Sequence, residues 1–236
     1  MTTGTLYLIP VPLGPSSPEE VLPAPVLKQI RPLTHFVVEN AKSARAFLKA
    51  AGTDQALQAL QLEELSEHTR DSELEHLLAP LLAGKDIGLL SEAGCPAVAD
   101  PGATLVALAQ SRGVRVVPLI GPSSLLLALM ASGLNGQRFA FHGYLPAKDG
   151  ERLQALKALE VESRKLKQTQ LFIETPYRNQ AMFDGVLAAC QPNTRFTVAT
   201  DLTLESESVI TRTIAEWKKT TPPDIQRRPT VFLLLA

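Results

Sequence analysis

The sequence predicts an α/β protein of two domains, with a mostly parallel sheet in the first and a mixed sheet in the second. Three observations carry this. Short β-rich runs alternate with helix-patterned segments through the first half, as parallel βαβ units require. Gly121 and Pro122 break the alternation, and a fresh strand–helix series begins beyond them. The tail sets three β-rich runs close together, the pattern of antiparallel pairing. The domains so drawn are 1–119 and 120–236.

Each element follows from its residues. "TLYLI" (5–9) is β-rich and stops at Pro10, Pro12 and Gly14. "THFVVEN" (34–40) is a second strand, and "AKSARAFLKAAG" (41–52) is a helix closed by Gly52. "ALQALQLEELSEHT" (56–69) and "DSELEHLLAPLLAGK" (71–85) carry apolar residues at helix-like spacing. Their acids, Glu63 to Glu75, read as a solvated surface. "DIGLL" (86–90) is a strand, "ATLVALAQSRG" (103–113) a helix ending at Gly113, and "VRVVPLI" (114–120) a strand. "SSLLLALMASGL" (123–134) reads as a thoroughly buried helix. In the second domain come strand 139–143, polar helix 150–168, strand 170–174 and helix 177–190. Strands 195–202, 208–214 and 230–236 end the chain, with a short helix around Trp217.

Composition narrows the function. The 236 residues are 45% hydrophobic and 20% charged, with a net charge of −1, so no global charge draws the chain to polyanions or anionic membranes. Cys95 and Cys190 are far apart, and four histidines stand singly. That spacing supports neither a disulfide framework nor a metal site. The N-terminus lacks the basic start of a signal peptide, and no uninterrupted apolar run is long enough to span a bilayer. A reduced, cytoplasmic protein is expected.

The loops at strand ends point to chemistry. In open α/β sheets ligands sit beyond the carboxyl ends of the parallel strands. "SEAGC" (91–95) stands at such an end. Gly94 opens backbone angles closed to other residues, and Ala93, Cys95 and Ala97 add little bulk. "IGPSS" (120–124), "ETPYR" (174–178) and "PVPLG" (10–14) repeat the pattern. Each has a bland alternative. Asp100-Pro101 has the form of a helix start, with Asp100 as the N-cap. Ser123 or Ser124 could cap a helix, or could meet a ribose or carboxylate. Cys95 as a nucleophile lacks any motif that supplies its base. Arg152, Lys157, Arg164, Lys165 and Lys167 form a solvated helix face or a phosphate contact. No G-x-G-x-x-G follows a strand, and no lysine-bearing phosphate loop is present. The residues alone reach a crevice for a small, hydrogen-bonding ligand.

"GTLYLIPVPLG", "LLSEAGCPAVADPG", "VVPLIGPSSLLLALMASGL", "FAFHGYLPAK" and "LFIETPYR" occur in this order. In that order they resemble the tetrapyrrole-methylase superfamily, and within it the branch of small-subunit ribosomal RNA cytidine 2'-O-methyltransferases. The resemblance implies a two-domain α/β methyltransferase, a homodimer, binding S-adenosylmethionine in a cleft between the domains. It assigns Ala93, Gly94 and Cys95, with Val98 nearby, to the main cofactor loop. Ser123 and Ser124 fall to a second loop, Pro12, Leu13 and Gly14 to the first, and Glu174 to a contact from the second domain.

The chain also departs from that branch. "GPSSPEEVLP" stands where an Asn-Leu-Gly-Asp-Ile-Thr run is typical, and Glu39-Asn40-Ala41-Lys42 replaces Glu-Asp-Thr-Arg. A C-terminal extension often present in the branch is absent from this sequence. These changes fall on the acceptor side, so the methyl acceptor stays open between RNA and a tetrapyrrole-like small molecule. A cofactor-binding regulatory protein without catalysis is the reading from another class. No catalytic residue is assigned; Glu39, Glu92 or ordered water would serve to take a proton.

Overall fold

A computed structural model describes residues 2–66 and 68–236. Met1 and Glu67, one of the acids read as solvated, lie outside them. The chain divides into two compact units, the first ending at Ser123 and the second beginning at Ser124.

The first unit holds a five-stranded sheet in the order β3-β2-β4-β1-β5. Its strands are β1 (Thr5–Ile9), β2 (His35–Val38), β3 (Gln61–Glu64), β4 (Ile87–Leu90) and β5 (Arg115–Pro118). All four pairings are parallel, so all the strand carboxyl ends share one edge. The connections run through α1 (Pro18–Val21), α2 (Ala24–Ile30), α3 (Ala41–Ala51), α4 (Asp71–Leu82) and α5 (Ala103–Ser111).

The helices cover both faces, as an all-parallel sheet demands. On one face Val26, Leu27 and Ile30 of α2 and Ala44 and Leu48 of α3 cluster with Ile9, Phe36, Val38 and Leu90. On the other, Leu74, Leu78 and Leu81 of α4 and Leu105 and Ala109 of α5 cluster with Leu6, Val37 and Leu89. Gly88 in β4 leaves room for this packing: a Cβ there would lie 2.5 Å from Ile9 Cδ1 and 2.8 Å from Phe36 Cδ1.

Two expectations fail in this unit. The helical reading of 56–69 gives way to a single 3-10 turn at Leu57–Ala59 and the edge strand β3. Pairing with β2 from His35↔Gln61 to Val38↔Glu64 overrides the local apolar spacing. The start of α5 also differs. Its N-cap is Gly102, with φ of 123°, so Asp100 caps nothing and Pro101 lies outside the helix.

The second unit holds a mixed sheet in the order β6-β7-β10-β8-β9. Its strands are β6 (Phe139–Tyr144), β7 (Thr169–Ile173), β8 (Arg195–Thr200), β9 (Ser208–Thr213) and β10 (Thr230–Leu235). β6 and β7 are parallel, and every other pairing is antiparallel. The helices are α6 (Ser124–Ser132), α7 (Asp149–Leu166), α8 (Asn179–Ala189) and α9 (Ile214–Trp217). Rings of Phe172, Phe183, Phe196, Trp217 and Phe232 fill the core. Phe183 meets Trp217 edge-on at 5.4 Å, and Trp217 Nε1 donates to the Phe196 carbonyl at 2.9 Å.

Here, too, two expectations fail. α6 is not thoroughly buried: Ala128, Leu129 and Ser132 face inward, while Leu126 is 52% and Met130 79% exposed. A helix apolar on all sides shows one face to the sheet and leaves the other uncovered in this chain. Arg152 is not on a solvated or phosphate-facing surface. It is buried, donating to the Ala147 carbonyl at 2.8 Å and to Asp149 Oδ1 at 2.5 Å. Among the described residues no helix is long and apolar enough to cross a membrane.

Candidate cofactor and active site

The strand order of the first unit creates a switch point. From β1 the chain passes to α2 on one face, and from its neighbour β4 it passes to α5 on the other. Adjacent strands that send their connections to opposite faces open a crevice at their carboxyl ends. The loops 10–14 and 91–102 leave the sheet at this place.

These loops are joined. Val11 N donates to the Gly94 carbonyl at 2.9 Å, and Gly94 N donates back to the Val11 carbonyl at 3.1 Å. Cys95 Sγ donates to the Pro122 carbonyl at 3.4 Å, which brings in the loop after β5. Close approach dictates the glycines. Gly94 has a φ of 72°, and a Cβ on it would stand 3.2 Å from Leu13 Cδ2 and 3.6 Å from the Pro122 carbonyl oxygen. A Cβ on Gly121 would lie 2.3 Å from Pro10 Cβ.

The loop beyond Gly94 is strained. Ala97 and Ala99 sit at φ of 65° and 62°, a left-handed region that costs a non-glycine residue about 1–2 kcal/mol each. Val98 between them is 48% exposed. Such strain persists where surrounding structure enforces it and clusters at functional loops.

Cys95 is not an activated nucleophile. Burial, and then the negative charge of Asp100, push its thiol up, away from the thiolate. Its Sγ instead links two loops through the Pro122 carbonyl.

Three carboxylates converge at the same edge. Glu39 follows β2, and its Oε2 accepts from Glu92 N at 3.2 Å. Glu92 follows β4, and its Oε1 accepts from Ser43 Oγ at 3.4 Å. Asp100 is pushed up to about 6, first by burial and then by the charges of Glu39 and Glu92, with a Ser91 hydrogen bond opposing. A carboxyl tuned close to neutrality suits proton transfer. The Asp-Pro-Gly motif hides this residue in sequence, because it has the form of a helix start.

A pocket of about 250 Å³ opens beside these loops. Its wall runs along α3 through Ser43, Phe47 and Ala50, and its floor includes Pro12, Ser91 and Glu92. Gly14, Ser16 and Pro18 also border it, so its rim falls on the segment that departs from the ribosomal RNA branch.

In the second unit, Glu174 follows β7 with its side chain 1% exposed. Its Oε1 accepts from Arg178 Nε at 3.0 Å and Nη2 at 2.7 Å, from Thr175 N at 2.6 Å and from Thr175 Oγ1 at 3.1 Å. Thr175 stands at the N-cap of the Pro176–Arg178 turn, but its hydroxyl donates to Glu174 and makes no capping bond. Glu174 Oε2, buried, has no hydrogen-bond partner among the described residues. An acceptor left unpaired in a buried site is costly unless a ligand completes it. Ser123 closes the first unit, and Ser124 opens α6 in the second.

Comparison with solved structures defines the class: this is the fold of the tetrapyrrole methylases. The methyltransferase CobJ superposes with a TM-score of 0.62 at 16% identity, covering 100% of this chain and 94% of that one. A cobalt precorrin-4 methyltransferase gives 0.61 at 15%, covering 98% and 94%. No protein-family model matches the chain. Relatives place it more narrowly. The ribosomal RNA small subunit methyltransferase I of Escherichia coli O157:H7 is 32% identical over 98% of this chain and 77% of its own length. That of Xylella fastidiosa is 31% identical over 99% and 81%. The chain belongs to the family of ribosomal RNA small subunit methyltransferase I. It is a methyltransferase, and its cofactor is S-adenosylmethionine.

The residues fit that cofactor. A nucleoside that lies against the backbone needs small side chains beside it, and Ala93 and Gly94 are small in that way, with Gly94 N and O themselves paired to Val11. The unpartnered Oε2 of Glu174 supplies an acceptor for an amine or hydroxyl.

Proposed function

We propose that this methyltransferase acts on a ribose 2'-hydroxyl of small-subunit ribosomal RNA, within the cytidine 2'-O-methylating branch. The observation that carries the reading is the likeness, over 98% and 99% of this chain, to relatives named for that RNA. Pro12, Leu13, Gly14, Ala93, Gly94, Cys95, Val98 and Ser123 would hold the cofactor on the first unit. Ser124 and Glu174 would hold it on the second. The cofactor supplies a methyl group on a positively charged sulfur, already a good leaving group. The protein's main task is then alignment, and the paired loops at Val11 and Gly94 provide a fixed frame for it.

A ribose hydroxyl must also lose its proton. Asp100 is the carboxylate we assign to that step, with Glu39 and Glu92 tuning it. We further propose a cytoplasmic homodimer, with the exposed Leu126 and Met130, one turn apart on α6, covered by the partner.

The test is methyl transfer from labelled S-adenosylmethionine to small-subunit ribosomal RNA. The expected product carries the label on a nucleotide whose 3' linkage resists alkali. Transfer to a base, or no transfer, contradicts the reading.

A further inference from the structure

We propose that the pocket between α1 and α3 seats an amino-bearing nucleobase of the acceptor strand, flipped out of the RNA, while Lys42, Arg45 and Lys49 hold the flanking phosphates. The proposal rests on the RNA reading above and adds where and how the acceptor is read.

The pocket has the chemistry of a base site. Val11, Ala44 and Phe47 line it with Pro12, which it shares with the cofactor loop, and such apolar side chains suit the faces of a heterocycle. Its polar lining is Ser16, Ser43, Ser91 and Glu92. The Glu92 carboxylate is an acceptor only, which selects a ring bearing an exocyclic amine over one bearing a carbonyl. Ser43 Oγ steadies Glu92 Oε1 at 3.4 Å. Enzymes that modify a nucleotide commonly take its base out of the stack into such a pocket.

The cations form a second, independent observation. Lys42, Arg45 and Lys49 recur at i, i+3 and i+7 on α3 and are all exposed. Ser43, Ala46, Phe47 and Ala50 occupy the neighbouring stripe and line the pocket. One helix thus sets a row of positive charge directly beside the opening. The chain as a whole carries a net charge of −1, so this local row is what a phosphate backbone would meet.

Filling the mouth tests the proposal. Ala46 is exposed on α3, so Ala46→Trp can be made without disturbing the core, and circular dichroism confirms the fold. We expect S-adenosylmethionine affinity to stay within about twofold while kcat/KM for the RNA falls roughly a hundredfold. A triple Lys42→Ala, Arg45→Ala, Lys49→Ala variant should reduce the salt slope of RNA binding by about 2. Full RNA methylation by Ala46→Trp overturns the pocket assignment and leaves the RNA reading intact. Loss of cofactor affinity in Ala46→Trp overturns it too, by giving the pocket to the cofactor. A wild-type protein that binds the cofactor but methylates no RNA sinks the parent reading and this one together.

Discussion

Val11 and Gly94 exchange a reciprocal pair of backbone hydrogen bonds, 2.9 and 3.1 Å long, between loops that lie 83 residues apart in sequence. The pair ties the ends of β1 and β4 together at the point where their connections part to opposite faces. Because Gly94 holds a φ of 72°, an alanine there would carry the left-handed penalty of about 1–2 kcal/mol. The Leu13 side chain, 3.2 Å from the new Cβ, can shift aside. Gly94→Ala should therefore fold with a lowered melting temperature, measured by thermal denaturation; an unchanged one would show that the bridge does not constrain this residue.

Asp100 predicts a pH profile. The carboxylate must be ionised to accept a proton, so the rate should climb through about pH 6 and level off above it. Asp100→Asn should lower kcat and remove that limb.

Stability should move the other way. The folded state holds the Asp100 proton more tightly than the unfolded chain, so ionisation costs stability between the ordinary 3.8 and about 6. That cost is absent in Asp100→Asn. Raising the pH across this window should therefore shift the melting-temperature difference in the variant's favour. A constant difference would show that Asp100 titrates alike in both states.

Glu174 offers a separate handle on the cofactor. Oε1 is saturated by Arg178 and Thr175, and Oε2 is buried without a partner. Glu174→Gln keeps the shape but removes the charge from that acceptor. We expect S-adenosylmethionine to bind roughly tenfold more weakly, as for the loss of a charged hydrogen bond. Titration calorimetry would show it, and equal affinity would remove Glu174 from the site.

The aromatic core of the second unit should be unforgiving. Trp217 is 2% exposed, packs edge-on against Phe183 and anchors its Nε1 on Phe196. Trp217→Ala should cost about 3–5 kcal/mol in denaturant unfolding.

Much of this architecture was legible in the residues because local and tertiary preferences agree. "TLYLI" is strand β1 over its whole length, and Gly52 ends α3 with a φ of 77°. Legibility failed where long-range contacts decide. Gln61–Glu64 is a strand because β2 lies beside it, which no spacing of leucines reveals. Asp100 looks like a cap, and only the fold buries it and brings Glu39 and Glu92 near enough to raise it further. Arg152 reads as surface charge until packing beside Gly185 of α8 buries it. The glycine and proline loops could be found by their composition. The bridge joining two of them could not, since it depends on strand order.

The most direct measurement is calorimetric titration of S-adenosylmethionine into the wild-type protein and into Gly94→Leu. The account predicts saturable binding to the first and severe loss in the second, with both folded by circular dichroism. Equal affinity in the two proteins would mean that the nucleoside does not rest against the Gly94 backbone.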